Sequence, residues 1–208
     1  MSKILWFDTE TTGLTERSTI VQIAGIIEID GEVKKKFNLR CRPFPGSEMS
    51  DKAFEITGLS KEEVMQYPDP KQVCQELKNI FARYIDKWDR ADKFIVAGHN
   101  VRFDVDQLTR WFRNCGDKYL GSWINYRKQL DTLGLFMAMQ IADVMPELEN
   151  AKLETIAKFM GIEFDAHDAM ADIEATRYIG SVMLGKMKKY IPKNCMVNKI
   201  MVNNMRED

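Results

Sequence analysis

The chain has 208 residues, of which 45% are apolar and 10% aromatic, and its formal net charge is −1. That length suits one domain with a short appendage and a substantial core, and the composition excludes an intrinsically disordered segment. The near-zero charge excludes recognition of a polyanion by bulk positive charge, although a local basic patch would suffice.

The first element is predicted at Lys3 to Leu14, KILWFDTETTGL. An apolar run, Ile4 to Phe7, carries two carboxylates, Asp8 and Glu10, into a Thr-Thr-Gly turn. Side chains of a strand alternate faces with a period of two, so Asp8 and Glu10 are expected to share a face with Ile4 and Trp6. A run apolar on both faces reads as a central strand covered on both sides. Ile20 to Ile29 reads as a second strand, and Asp30-Gly31 as a two-residue hairpin turn into a third, Val33 to Arg40. The Lys34-Lys35-Lys36 run suits a sheet edge. Ser50 to Ile56 reads as a short helix with Ser50 as its cap and Gly58 as its stop. Ser60 to Glu63 has capping-box spacing.

Asp69 to Ile85 has a helical apolar face at Val73, Leu77, Ile80, Phe81 and Tyr84. Phe94 to Ala97 is a short strand leading into Gly98-His99-Asn100. In the helix expected over Phe103 to Cys115, Asp104 lies four residues before Leu108, on the buried stripe. Residues 116–130 mix aromatics and cations, and Lys118 to Lys128 suits either a single-strand groove or ordinary surface packing. Leu133 to Ala142, Leu153 to Met160 and Asp168 to Met187 read as helices. The tail from 191 to 208 is short and Asn-rich. The pattern is one α/β domain, a three-strand meander followed by strand–helix alternation. The four cysteines, Cys41, Cys74, Cys115 and Cys195, have no metal-site spacing and are expected as free thiols. With no signal-peptide pattern and no apolar run of membrane-span length, the expected location is the cytoplasm, with no membrane partner.

Asp172 falls one turn into the last helix, and its i+3 and i+4 neighbours, Ala175 and Thr176, are small enough to let that helix approach a sheet closely. Asp8, Glu10, Asp104 and Asp172 are thereby aimed at one place. Two carboxylates about 5 Å apart repel by roughly 3 kcal/mol at an effective dielectric near 20. Hard divalent cations with oxygen ligands, Mg²⁺ or Mn²⁺, are the natural answer.

Three segments resemble the three motifs of the DEDDh 3′–5′ exonucleases, the superfamily of proofreading enzymes similar to the polymerase III epsilon subunit. They are Asp8-Thr9-Glu10 with Thr11-Thr12-Gly13, His99 to Asp104, and His167 with Asp172 five positions on. Ile56 to Leu59, Asp131 to Leu133 and the Leu153 to Gly161 helix add to the likeness, which runs from about Lys3 to Tyr178. The resemblance implies an RNase H-like α/β fold, a central mixed five-stranded sheet flanked by helices. It implies an exonuclease domain over 1–190 and a tail over 191–208. It further implies two Mg²⁺ or Mn²⁺ ions, with Asp8 bridging them, Glu10 and Asp172 completing the tighter site and Asp104 holding the other. His167 would be the general base. The backbone around Thr11 and Thr12 would meet a 3′ end, with Thr9 and Asn100 beside it. Leu14 and Phe103 would contact bases, against the alternative that both are core residues. His99 and Asn100 are expected to make supporting hydrogen bonds, and Asp131 and Asp168 to cap helices. The expected substrate is the 3′ end of single-stranded DNA, released as nucleoside 5′-monophosphates, with a polymerase or replication protein as partner. Trimming of RNA 3′ ends, or a fold kept only for binding, remain the alternatives.

Overall fold

The computed structural model describes residues 2–164 and 168–190. His167, Cys195 and the tail 191–208 lie outside the described residues. The sheet has five strands: β1 (Lys3–Thr11), β2 (Ile20–Ile29), β3 (Glu32–Arg40), β4 (Phe94–Gly98) and β5 (Ile124–Asp131), in the order β3-β2-β1-β4-β5. β1 is antiparallel to β2 and parallel to β4, so the sheet is mixed and β1 is its centre. β5 runs parallel to β4 and closes the far edge.

The alternation of β1 sorts its residues between two layers. Leu5 and Phe7 enter a core with Leu77 and Phe81 of α3 (Pro70–Phe81) and with Val105, Leu108 and Trp111 of α4 (Val101–Asn114). Trp6 faces the other way, with Ala169 and Ile173 of the long helix that ends the described chain. Asp8 and Glu10 continue the Trp6 face, as the period-two pattern requires. The hairpin after β2 has two successive positive φ values, 51° at Asp30 and 88° at Gly31, the backbone of a type I′ turn. β3 lies at the edge with Lys34, Lys35 and Lys36 exposed.

Three sequence expectations are adjusted. Ser50 occupies the N-cap position of α1 (Asp51–Thr57), but its side chain makes no capping bond. Its backbone N–H instead donates to Thr12 O at 2.8 Å, which ties α1 to the loop after β1. Helix α3 ends at Phe81, and turns carry the chain through Tyr84. The polar stretch after residue 116 contains β5, which is masked as a strand because its middle is exposed and charged. Ser60 caps α2 (Lys61–Met65) by accepting from Glu63 N at 3.0 Å, as the capping-box spacing indicates.

The remaining helices are α5 (Thr132–Ile141), α6 (Leu153–Phe159) and α7 (Ala169–Tyr190). Phe136, Met139, Ile156, Ile179 and Met183 form a second core among them. α7 lies close against the sheet. A Cβ at Gly180 would stand 2.6 Å from the Trp6 ring, so only glycine fits there. Ala175 and Thr176 are buried, as their size permits. Arg177 Nε donates to the mostly buried Glu28 carboxylate of β2 at 2.6 Å, fixing the rotation of α7 on the sheet. The free cysteines Cys41 and Cys74 are buried and Cys115 is partly so. No helix among the described residues is long and apolar enough to cross a membrane.

Candidate active site

β1 delivers Asp8 and Glu10 to the carboxyl end of the sheet, and α7 brings Asp172 over them. One carboxylate oxygen from each of the three lies within 4.8 Å of the others. Asp168 sets the start of α7: its Oδ1 accepts from Met170 N at 3.0 Å and Ala171 N at 2.9 Å, a capping arrangement that leaves Asp172 one turn in.

Asp104 comes from the opposite layer. It is buried in the first turn of α4, and Thr9 holds it through both its N–H (3.1 Å) and its hydroxyl (2.6 Å) on Oδ1. Thr9 points away from Asp8 and Glu10, so the strand alternation itself lets β1 grip the fourth acid from its other face. Asp104 stands outside the group of three mutually close carboxylates among the described residues. The acids nevertheless influence one another. Burial, then the Asp172 charge, pushes the Asp8 carboxyl up to about 7. Burial, then Asp8, Asp172 and Asp168, pushes Glu10 up to about 8. Asp104 is also raised, by burial first and Asp8 second, with the two Thr9 bonds pulling it back.

Beside Glu10 opens a cavity of about 340 Å³, in the size range of small-ligand pockets. Thr9, Thr11, Gly13 and Leu14 line one wall, Phe103 another, and Lys52, Ala53 and Ile56 of α1 the third. Leu14 is 82% exposed, which removes the core-packing alternative for it. Phe103 is half-buried at the cavity wall. Thr11 donates its hydroxyl to Gly13 O at 2.8 Å and shapes the loop. Thr12 is held by the loop's own bonds. Its side chain is fully buried and accepts from Thr19 N, while its backbone N–H and C=O are taken by Thr19 O and Ser50 N. It is absent from the cavity lining and serves the loop. Asn100 also lies off that lining. It has φ 60° at the N-cap of α4 and donates its backbone N–H to Asp131 Oδ1 at 2.9 Å. Asp131 also accepts from Leu133 N, capping α5.

His99 is a bracing residue. Its Nε2 meets Ala151 O and its Nδ1 meets Thr132 Oγ1, both at 3.0 Å. A carbonyl only accepts, so Nε2 carries the proton toward Ala151, while burial holds the imidazole below its usual pKa. His167, the other histidine of the motifs, lies outside the described residues. The α1 wall, the Thr9–Asp104 grip and the Arg177–Glu28 anchor had no counterpart in the sequence reading. A Thr between two acids and an Arg five positions after an Asp are too common to signal such contacts.

A mixed sheet of this order, with acids at its central strand end and helices on both faces, defines an RNase H-like fold. Within that class, a family model described as RNase T exonuclease matches residues 5–179, and the chain belongs to that exonuclease family, whose members are hydrolases. The PolC-type DNA polymerase III of Oceanobacillus iheyensis is 28% identical over 204 residues, covering 95% of this chain and 12% of that protein. The chain thus spans about an eighth of the length of such a curated relative. E. coli Exonuclease I in complex with a dT13 oligonucleotide superposes with a TM-score of 0.73 at 24% identity, over 97% of this chain and 44% of the other. The same enzyme with a dA16 oligonucleotide gives 0.72 at 26% identity, over 90% and 41%.

Proposed function

We propose that this protein removes nucleotides from the 3′ end of single-stranded DNA, using divalent metal ions, and releases nucleoside 5′-monophosphates. The observation that carries the reading is the closeness of Asp8, Glu10 and Asp172, within 4.8 Å, beside the cavity between Leu14 and Phe103. Three hard oxygen donors, with the Asp8 and Glu10 carboxyls shifted upward, are a donor set suited to Mg²⁺ or Mn²⁺. Asp8, Glu10 and Asp172 would hold one ion, and Asp104 with Asp8 would hold a second. When bound, such a pair supplies an activated water and offsets charge on the leaving 3′ oxygen. His167, just ahead of the Asp168 cap, takes the proton of the attacking water, a role suited to an imidazole near neutral pH. Thr9 fixes Asp104 in place at the start of α4. Leu14 and Phe103 hold the terminal base, stacking on an aromatic being worth about 1–3 kcal/mol.

The relatives support DNA as substrate, since E. coli Exonuclease I is described with deoxyoligonucleotides and the PolC-type relative is a DNA polymerase. Residues 1–190 constitute the nuclease domain and 191–208 an appendage, and a polymerase or other replication protein is the partner in trans. The test is degradation of a 5′-labelled single strand in Mg²⁺ or Mn²⁺, with matched RNA and 3′-phosphorylated strands alongside. A ladder shortening from the 3′ end, abolished by EDTA and slower on RNA, is expected. Cleavage that starts from the 5′ end, or none with either metal, would overturn the reading.

A further inference from the structure

The edge strand β5 carries a bulge that the active site does not explain. Phe94 of β4 pairs with Ile124, and Val96 pairs next with Gln129, so Asn125 to Lys128 stand opposite the single residue Ile95. Bulges of this kind re-aim side chains and are built rather than accidental. This one is braced by its own bonds: Asn125 Oδ1 accepts from Arg127 N at 3.0 Å, and Gln129 Nε2 donates to Tyr126 O at 3.1 Å. What it presents outward is Tyr126, Arg127 and Lys128, all exposed. Neither Arg127 nor Lys128 pairs with a carboxylate among the described residues.

The bulge abuts the outer face of α4. Thr109 Oγ1 lies 3.4 Å from Tyr126 OH. Arg102, Asp106, Thr109 and Arg113 fall on one stripe of that helix by its 3.6-residue period. Arg102 is next to the cavity residue Phe103 and is only partly neutralised by Asp106, at 2.9 Å across an exposed i,i+4 pair. Arg102, one residue from the cavity lining, and Arg113 thus flank the point on α4 where Tyr126 of the bulge meets Thr109. From Arg102 to Arg113 the helix rises roughly 16 Å at 1.5 Å per residue. That is about four or five stacked nucleotides at 3.4 Å each.

The geometry points to a second contact for the substrate: the Asn125–Gln129 bulge and the arginine stripe of α4 hold the single strand on the 5′ side of the end being cut. This rests on the nuclease reading. Cations that track phosphates and an exposed ring on which a base stacks are the two devices by which single strands are held without regard to sequence. A bulge that lifts both away from the sheet supplies them at one place.

The test compares the whole chain with the pair Arg127→Glu and Lys128→Glu, and with the milder Arg127→Gln and Lys128→Gln pair. All four side-chain changes are at exposed positions outside the core. Binding of fluorescein-labelled dT20 and dT2 is followed by anisotropy in EDTA, where no cleavage occurs. Hydrolysis of the p-nitrophenyl ester of thymidine 5′-monophosphate, too short to reach the bulge, is followed in Mn²⁺. The expected result is at least tenfold weaker dT20 binding for the glutamate pair, a smaller loss for the glutamine pair, and ester hydrolysis as in the parent. The salt dependence of dT20 binding should flatten by about 1.4 in slope, two phosphates at roughly 0.7 each. Binding of dT20 within twofold of the parent in both pairs, or a parent that binds dT20 no better than dT2, would overturn the proposal. A parent that hydrolyses neither ester nor oligonucleotide would sink the nuclease reading instead, a different outcome.

Discussion

Asp172→Asn is expected to lower kcat on a labelled single strand by at least a thousandfold, about 4 kcal/mol of barrier, while the protein stays folded. The amide keeps the size of the carboxylate. It does not disturb the start of α7, because Asp168 makes the capping bonds to Met170 and Ala171. Nor does it touch the Arg177–Glu28 and Gly180–Trp6 contacts that seat the helix. What it removes is one of three mutually close anionic oxygens. A site left with Asp8 and Glu10 loses a charged ligand of the cation. Asp8→Asn should do the same, since Asp8 is near both Asp172 and Asp104. Single-turnover rates alongside thermal melting check this. Activity within tenfold of the parent would contradict it, and a collapsed melting temperature would make Asp172 a folding residue.

The second large effect concerns the metal-free protein. The Asp8 carboxyl, ordinarily near 3.8, is raised to about 7, and Glu10, ordinarily near 4.5, to about 8. Between those values the folded state keeps protons that the unfolded state has released. Stability is then fully present below about pH 4 and falls as pH rises toward 8, the reverse of a salt-bridged carboxylate. One group raised by roughly three units corresponds to about 4 kcal/mol, and mutual influence keeps the cluster from simply doubling it. For a chain of this size that is on the order of ten degrees in melting temperature. Melting in EDTA should therefore occur lower at pH 8.5 than at pH 5.5, and excess Mn²⁺ should restore most of the difference at pH 8.5. A melting temperature in EDTA that rises over this interval would contradict the picture of a crowded anionic site.

Much of the site was legible because it is written in periodicity. Alternation along β1 placed Asp8 and Glu10 with Trp6, and the 3.6-residue stripe of α4 placed Asp104 inward with Leu108. Small residues at 175 and 176 indicated the close approach of α7. Contacts that join remote segments through ordinary residues were not legible. Nothing in Thr9 announces that it holds Asp104 across 95 positions, or in Ser50 that its N–H reaches back to Thr12. β5 was missed for a different reason: an edge strand with an exposed bulge lacks the apolar pattern by which strands are recognised. Leu14 and Phe103 could not be told from core residues by pattern. Their places depend on how α1 folds against the loop after β1.

Titration of the metal-free protein with Mn²⁺ in a calorimeter at pH 8, repeated for Asp172→Asn, bears most directly on the four converging acids. The account requires saturable uptake of two ions by the parent, accompanied by proton release chiefly from Glu10, and loss of the tighter phase in the variant. No uptake by the parent, or identical curves for the two proteins, would contradict it.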